Sequence, residues 1–156
     1  MKKIFLIAIL SFSIIIYGCD GNGEGTNNNN QSNGNSQESA YEIQPQEGVT
    51  QIYYFWGDGC PACDTQNQIW EDLENNEDYK DKININKFET WGDRQNSRLM
   101  GEIGSQLGVR TTGVPLTIIG EESFVGVDKN NMIEKIDYCI EYECNDEVID
   151  IINNFE

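Results

Sequence analysis

Two cysteines, Cys60 and Cys63, stand three positions apart in "YYFWGDGCPACDTQNQIW", directly after an aromatic run. That spacing admits three chemistries: a dithiol that exchanges with other disulfides, half of a zinc site, or a structural staple. Only a thiolate attacks a disulfide, and an ordinary cysteine is mostly protonated near neutrality, so exchange needs a setting that ionises one sulfur. Three further cysteines, Cys19, Cys139 and Cys144, complete the set, and histidine is absent. The missing imidazole excludes histidine general bases, Ser-His-Asp arrangements and every metal site with a histidine ligand.

The elements that must hold these sulfurs follow from pattern. "TQIYYFW", residues 50–56, reads as a buried strand, and Pro61 onward reads as a helix with Ile69, Trp70 and Leu73 on one face. "KININKF" alternates Ile83, Ile85 and Phe88 as a second strand. Arg94 to Leu107 carries Leu99, Ile103 and Leu107 at helical spacing. "PLTIIG" and "SFVGVD" read as a hairpin turning at Glu121 and Glu122. "NNMIEKIDYCIEY" closes the pattern as a helix capped by Asn130 or Asn131. The order is β-α-β, α, β-β-α. It puts Cys60 at an exposed helix N-cap with Pro61 at the first helical position, where a missing N–H costs nothing. The positive end of the helix then favours the Cys60 thiolate. Cys63 follows within one turn on the same side and is less exposed. Cys60 is therefore the expected attacking sulfur and Cys63 the resolving one.

The order and its residues resemble the thioredoxin-like superfamily. Phe55-Trp56 precedes "CPAC" as the family's aromatic pair precedes its redox couple, "GVRTTGVPLTII" is similar to the loop that faces the couple, and "FVGV" to the following strand. The resemblance implies an α/β domain with a central mixed sheet of about four strands flanked by helices. It implies a cis Val114–Pro115 bond that holds backbone beside Cys60, with Gly113, Val114, Pro115 and Trp56 as substrate-binding positions. Two departures bear on chemistry. Tyr54 stands where many thioredoxins bury an acid that serves the resolving thiol, and Asp58 reads as a solvated loop residue. The dipeptide between the cysteines is Pro-Ala, with no histidine beside the thiolate, so weaker oxidising power is expected than in strong periplasmic oxidants. Trp56 is expected to pack beneath the couple, and Trp70 and Trp91 to be packing residues.

The amino terminus, "MKKIFLIAILSFSIIIYGC", has two lysines, an apolar stretch short for a membrane span, and a cysteine after a small residue. It resembles a bacterial lipoprotein signal. That implies a signal peptide over 1–18, a lipid on Cys19 and an extracytoplasmic domain anchored to the membrane. Residues 19–48, nearly free of large apolar side chains, read as a disordered Asn/Gly/Ser-rich tether. Residues 49–156 read as one thioredoxin-like domain. Disulfides persist outside the cytosol; Cys139 and Cys144 are expected to form a structural one, provided the helix ends near Glu141 to Glu143. A net charge of −17 leaves no basic patch for nucleic acid.

The resulting expectation is a monomeric thiol–disulfide oxidoreductase acting on exported protein thiols and disulfides, served by an upstream membrane redox donor or acceptor, without metal or other cofactor. Two rivals stand beside it: a zinc site of Cys60, Cys63, Cys139 and Cys144, and a non-catalytic binding lipoprotein with Cys60–Cys63 as a staple.

Overall fold

A computed structural model describes residues 41–156. The signal peptide expected over 1–18, the lipid expected on Cys19 and the part of the expected 19–48 tether up to residue 40 lie outside the described residues. Within them, no helix is long and apolar enough to cross a membrane.

The domain is built on β1 (Thr50–Trp56), α1 (Pro61–Glu74), β2 (Ile83–Glu89), α2 (Arg94–Leu107), β3 (Leu116–Ile119), β4 (Glu122–Val125), α3 (Lys129–Tyr142) and α4 (Glu147–Asn153). The four strands form one mixed sheet in the order β2-β1-β3-β4. β2 runs parallel to β1, with Trp56 opposite Glu89 at the end of the pairing. β3 is antiparallel to β1 and to β4. This is the α/β, thioredoxin-like architecture that the sequence led us to expect.

From Ile52 to Trp56, β1 is apolar without a break because both of its faces are covered there. Tyr53 and Phe55 face one core with Phe88, Leu99, Ile103, Leu116 and the apolar residues of α4. Ile52 and Tyr54 face the other, with Ile69, Trp70 and Leu73 of α1 and Met132 and Ile136 of α3. Each fully buried aliphatic side chain contributes on the order of 1.5–3 kcal/mol, so these two cores hold β1 firmly between the helices. The loop that leaves its C-terminal end carries Cys60.

Local signals explain the helix boundaries. Asp93 caps α2 by accepting the N–H groups of Gln95 and Asn96 at 2.8 and 3.1 Å, an arrangement worth about 1 kcal/mol. Gly108 ends α2 at φ 66°. α3 starts earlier than expected: Asp128 is its N-cap, not Asn130 or Asn131. The Asp128 carbonyl accepts the Met132 N–H at 3.0 Å and closes the first turn ahead of both asparagines. The hairpin turns at Gly120 and Glu121, with Ile119 paired to Glu122. Gly120 takes the left-handed conformation, φ 55°, that a tight hairpin requires.

Two features add to the expected organisation. Within the expected 19–48 tether, Tyr41 and Ile43 lie against the domain. Tyr41 packs edge-on against Phe88, its hydroxyl donates to Asn96, and Ile43 exchanges two hydrogen bonds with the Asn153 side chain at 2.8 and 2.9 Å. The second feature is α4, a helix the pattern did not predict. Its seven residues are too few for periodicity to emerge, yet Val148, Ile149, Ile151 and Ile152 are all buried.

Candidate active site

The sulfur pair lies where β1 hands over to α1. Cys60 is the N-cap of α1 in extended conformation, with Pro61 at the first helical position. Its N–H donates to the Gly57 carbonyl at 3.2 Å. The Cys63 N–H, one of the otherwise unpaired donors of a helix start, points at Cys60 Sγ at 3.2 Å. Cys60 and Cys63 are joined as a disulfide, their Cα atoms 5.2 Å apart.

Cys60 retains 5% of its exposure and Cys63 none. The ranking of the two sulfurs follows the sequence reading, but the expected exposed cap position is corrected: in the disulfide form Cys60 is nearly covered. The loop before β3 supplies part of that cover. Val114–Pro115 is a cis peptide bond, and the Val114 carbonyl oxygen lies 3.9 Å from Cys60 Sγ. Gly113 and Val114 are half-buried and Pro115 is buried. A disulfide sulfur has no proton to donate to that carbonyl, whereas a Cys60 thiol would have one.

Trp56 is half-buried at the end of β1. Its carbonyl accepts both the N–H and the hydroxyl of Thr90, each at 2.8 Å, which ties the end of β1 to the β2–α2 loop. Trp56 also packs against the core on the α1 and α3 side. The Tyr54 hydroxyl donates to the Cys63 carbonyl at 3.1 Å. Burial, with Asp64 adding to it, pushes that phenol far above its ordinary range, so Tyr54 stays neutral and braces α1 from below. Asp58 is exposed, as expected.

Three residues near the couple escaped the sequence reading. Glu89, at the end of β2, accepts four backbone N–H groups: Asp58 and Trp91 on one oxygen at 3.2 and 2.9 Å, Gly92 and Asp93 on the other at 2.8 and 3.0 Å. Desolvation pulls its pKa up, but the four donors outweigh it and hold the carboxyl below its usual value. A carboxylate directly after the strand's last apolar residue, Phe88, with Gly92 three positions further on, was the available signal. Trp91 is not a buried packing residue: it is 62% exposed, with its indole laid on Gly57. A Cβ at Gly57 would overlap the Trp91 ring, so only glycine fits there. Gln66, one turn after Cys63, is fully buried. Its Nε2 lies 3.6 Å from Met132 Sδ, and its Oε1 has no protein partner. The polar residue on an otherwise apolar helical face was its signal.

The other sulfur pair is separate. α3 ends at Tyr142, Glu143 turns the chain at φ 52°, and Cys139 and Cys144 join as a disulfide with Cα atoms 4.8 Å apart. Cys144 Cβ would stand 2.7 Å from a Cβ placed on Gly120. One pair thus sits at the start of β3 and the other just past its end. The four sulfurs do not converge, and no group of three or more His, Cys, Asp or Glu side chains among the described residues could hold a metal ion. That arrangement argues against a four-cysteine zinc site. Both pairs are held as disulfides, and Cys60 alone sits at a helix N-terminus, a setting that favours a thiolate and hence thiol–disulfide exchange.

No protein-family model matches the chain, and no curated protein matches it. Among solved structures, the thioredoxin of Malassezia sympodialis, Mala s 13, is 16% identical with a TM-score of 0.44, over 60% of this chain and 76% of that one. The first thioredoxin domain of mouse protein disulfide-isomerase A4 is 15% identical with a TM-score of 0.37, over 74% of this chain and 91% of that one. A protein from Agrobacterium tumefaciens is 17% identical with a TM-score of 0.48, over 62% of this chain and 48% of that one. These likenesses are distant, and what the site can do follows from its own geometry.

Proposed function

We propose that this chain is an extracytoplasmic thiol–disulfide oxidoreductase, anchored to the membrane through lipid on Cys19, that exchanges disulfides with exported proteins. The observation that carries the proposal is the Cys63 N–H aimed at Cys60 Sγ at the start of α1. A donor and a helix N-terminus at one sulfur favour its thiolate over its thiol, which is the requirement for exchange.

In the reductive direction the Cys60 thiolate attacks one sulfur of a substrate disulfide. A Cys60–substrate bond forms, and the other substrate sulfur leaves as a thiolate and takes a proton from solvent. Cys63, deprotonated, then attacks Cys60 Sγ. The Cys60–Cys63 disulfide forms and the second substrate thiolate departs. The substrate gains two electrons and two protons, and an upstream dithiol must return the two electrons to the protein. Run backwards, the same steps donate a disulfide to a dithiol substrate. The Val114 backbone, held beside Cys60 by the cis peptide, offers main-chain hydrogen bonds to an extended substrate segment and so tolerates many sequences.

The low exposure of Cys60 favours a second reading, in which the pair is a permanent staple in a binding lipoprotein. Mixed-disulfide trapping separates the two. Cys63→Ser, expressed as the full chain, should accumulate covalent adducts with exported proteins that dithiothreitol releases, and Cys60→Ser should accumulate none. The wild type should also reduce insulin or oxidise a dithiol peptide. Absence of both adducts and turnover, with a Cys60–Cys63 potential well below about −300 mV, would establish the staple instead.

A further inference from the structure

We propose that Trp91 and Asp58 form a recognition patch for a cationic side chain beside the reacting cysteine of a polypeptide substrate. The inference rests on the oxidoreductase reading and adds a substrate preference to it.

Three placements carry it. Trp91 is the most exposed large apolar side chain among the described residues, at 62%, yet one side of its indole is seated on Gly57. Gly57 in turn accepts the Cys60 N–H, so the ring stands next to the turn that presents the attacking sulfur. The backbones of Trp91 and Asp58 are pinned together, because one oxygen of Glu89 accepts both of their N–H groups. An exposed tryptophan and an exposed aspartate are therefore anchored through their backbones at one carboxylate oxygen, with Asp58 two residues before Cys60. The seat on Gly57 and the Glu89 bonds fix the ring without hiding it.

The chemistry of the occupant follows. An aromatic face attracts a cation, and a neighbouring carboxylate adds to that attraction. The chain carries a net charge of −17, which draws positively charged segments toward it from a distance. A segment whose cysteine reaches Cys60 while its backbone lies along Val114 brings its flanking residues to the rim of the site. A lysine or arginine there finds both the indole and the Asp58 carboxylate. An acidic residue at that place meets like charge.

The test uses the reduced full-length chain and two peptides that differ only in a Lys or a Glu next to the cysteine, each carried as a mixed disulfide with 2-mercaptoethanol. Second-order rate constants are measured for the wild type, Trp91→Ala, Trp91→Phe and Asp58→Asn. The wild type should favour the Lys peptide. Trp91→Ala should lower the Lys:Glu rate ratio by about two- to fivefold, the size of an exposed cation–π contact, while Trp91→Phe keeps most of it. Both Trp91 changes leave net charge untouched, so a fall in the ratio cannot come from the long-range field. Asp58→Asn, on an exposed loop, should lower the ratio as well. Equal ratios in the wild type and Trp91→Ala would overturn the patch. If the wild type reacts with bis(2-hydroxyethyl) disulfide but treats the two peptides alike, this inference alone falls. If it reacts with none of the three, the oxidoreductase reading falls and takes the patch with it.

Discussion

Glu89 Oε1 accepts the Asp58 N–H at 3.2 Å, so a side chain at the end of β2 holds the loop that leads into Cys60. The same carboxylate organises the β2–α2 loop through Trp91, Gly92 and Asp93. Two loops that border the sulfur pair thus share one anion, and the consequence is a pH dependence with a definite sign. Desolvation raises the Glu89 pKa, the four N–H donors lower it, and the donors prevail. A carboxyl lowered in the folded state adds stability above its unfolded pKa, about 4.3, and that stability disappears as pH falls through the lower folded value. Glu89→Gln should therefore lower the thermal midpoint most above about pH 5, with the gap to the wild type closing below about pH 4. Melting curves across that range check it; a gap independent of pH would mean that geometry alone, without the charge, matters.

Asp146 should act with the opposite sign. Burial raises its pKa and the nearby Asp150 adds to the rise, against the Tyr53 hydroxyl and the Ile149 and Val148 N–H groups that lower it. The Tyr53 hydroxyl donates to Asp146 Oδ2 at 2.6 Å. A carboxyl raised in the folded state favours folding at low pH, and the contribution is lost as pH rises from the unfolded value through the raised one. Asn keeps its oxygen for the Ile149 N–H and turns an amide N–H toward the Tyr53 hydroxyl, which can accept it, and it carries no charge. The stability of Asp146→Asn relative to the wild type should consequently improve from about pH 4 to pH 7, measured by urea unfolding at fixed salt. A relative stability that fell over the same range would refute the assignment.

The Cys139–Cys144 bond closes a short loop between α3 and α4. Loop-closure entropy for a loop of this size gives about 2 kcal/mol, and replacing both cysteines with alanine should cost roughly that in denaturant unfolding. Gly120→Ala should destabilise the same corner. The new Cβ would press on Cys144 while the backbone holds a left-handed φ of 55°. If the double alanine variant unfolds at the wild-type midpoint, the bond is not a structural one.

Gln66 offers a test of the buried polar layer behind Cys63. Its carbonyl oxygen is buried without a partner, and such a group costs about 1–3 kcal/mol relative to one that is hydrogen-bonded. Gln66→Met, similar in volume and apolar, should hold or raise stability by about 1 kcal/mol. A clear loss in the denaturant midpoint would show that the amide is satisfied in solution.

Much of this arrangement could be read from the chain alone. An unbroken apolar run at Ile52–Phe55 means a strand covered on both faces, and Pro61 after Cys60 marks a helix start, because both signals depend on neighbours within a turn or two. The helix with Leu99 and Ile103 inward followed in the same way. Local pattern did not reach α4, whose burial depends on Tyr53, Phe88 and Leu99 from distant parts of the chain, nor the docking of Tyr41 and Ile43. The spacing of Cys60 and Cys63 left their pairing as one of three possibilities, and part of the near-burial of Cys60 comes from Val114, which is 54 residues away. Trp91 shows the division most clearly. By composition a tryptophan belongs in a core; it stands at the rim because Glu89 binds its backbone and Gly57 leaves room for its ring. Periodicity records which side of an element turns inward, since that is a property of neighbours in sequence. Which surfaces then meet at the sulfur pair is fixed by strand pairing and loop contacts between remote residues, and that only the folded chain decides.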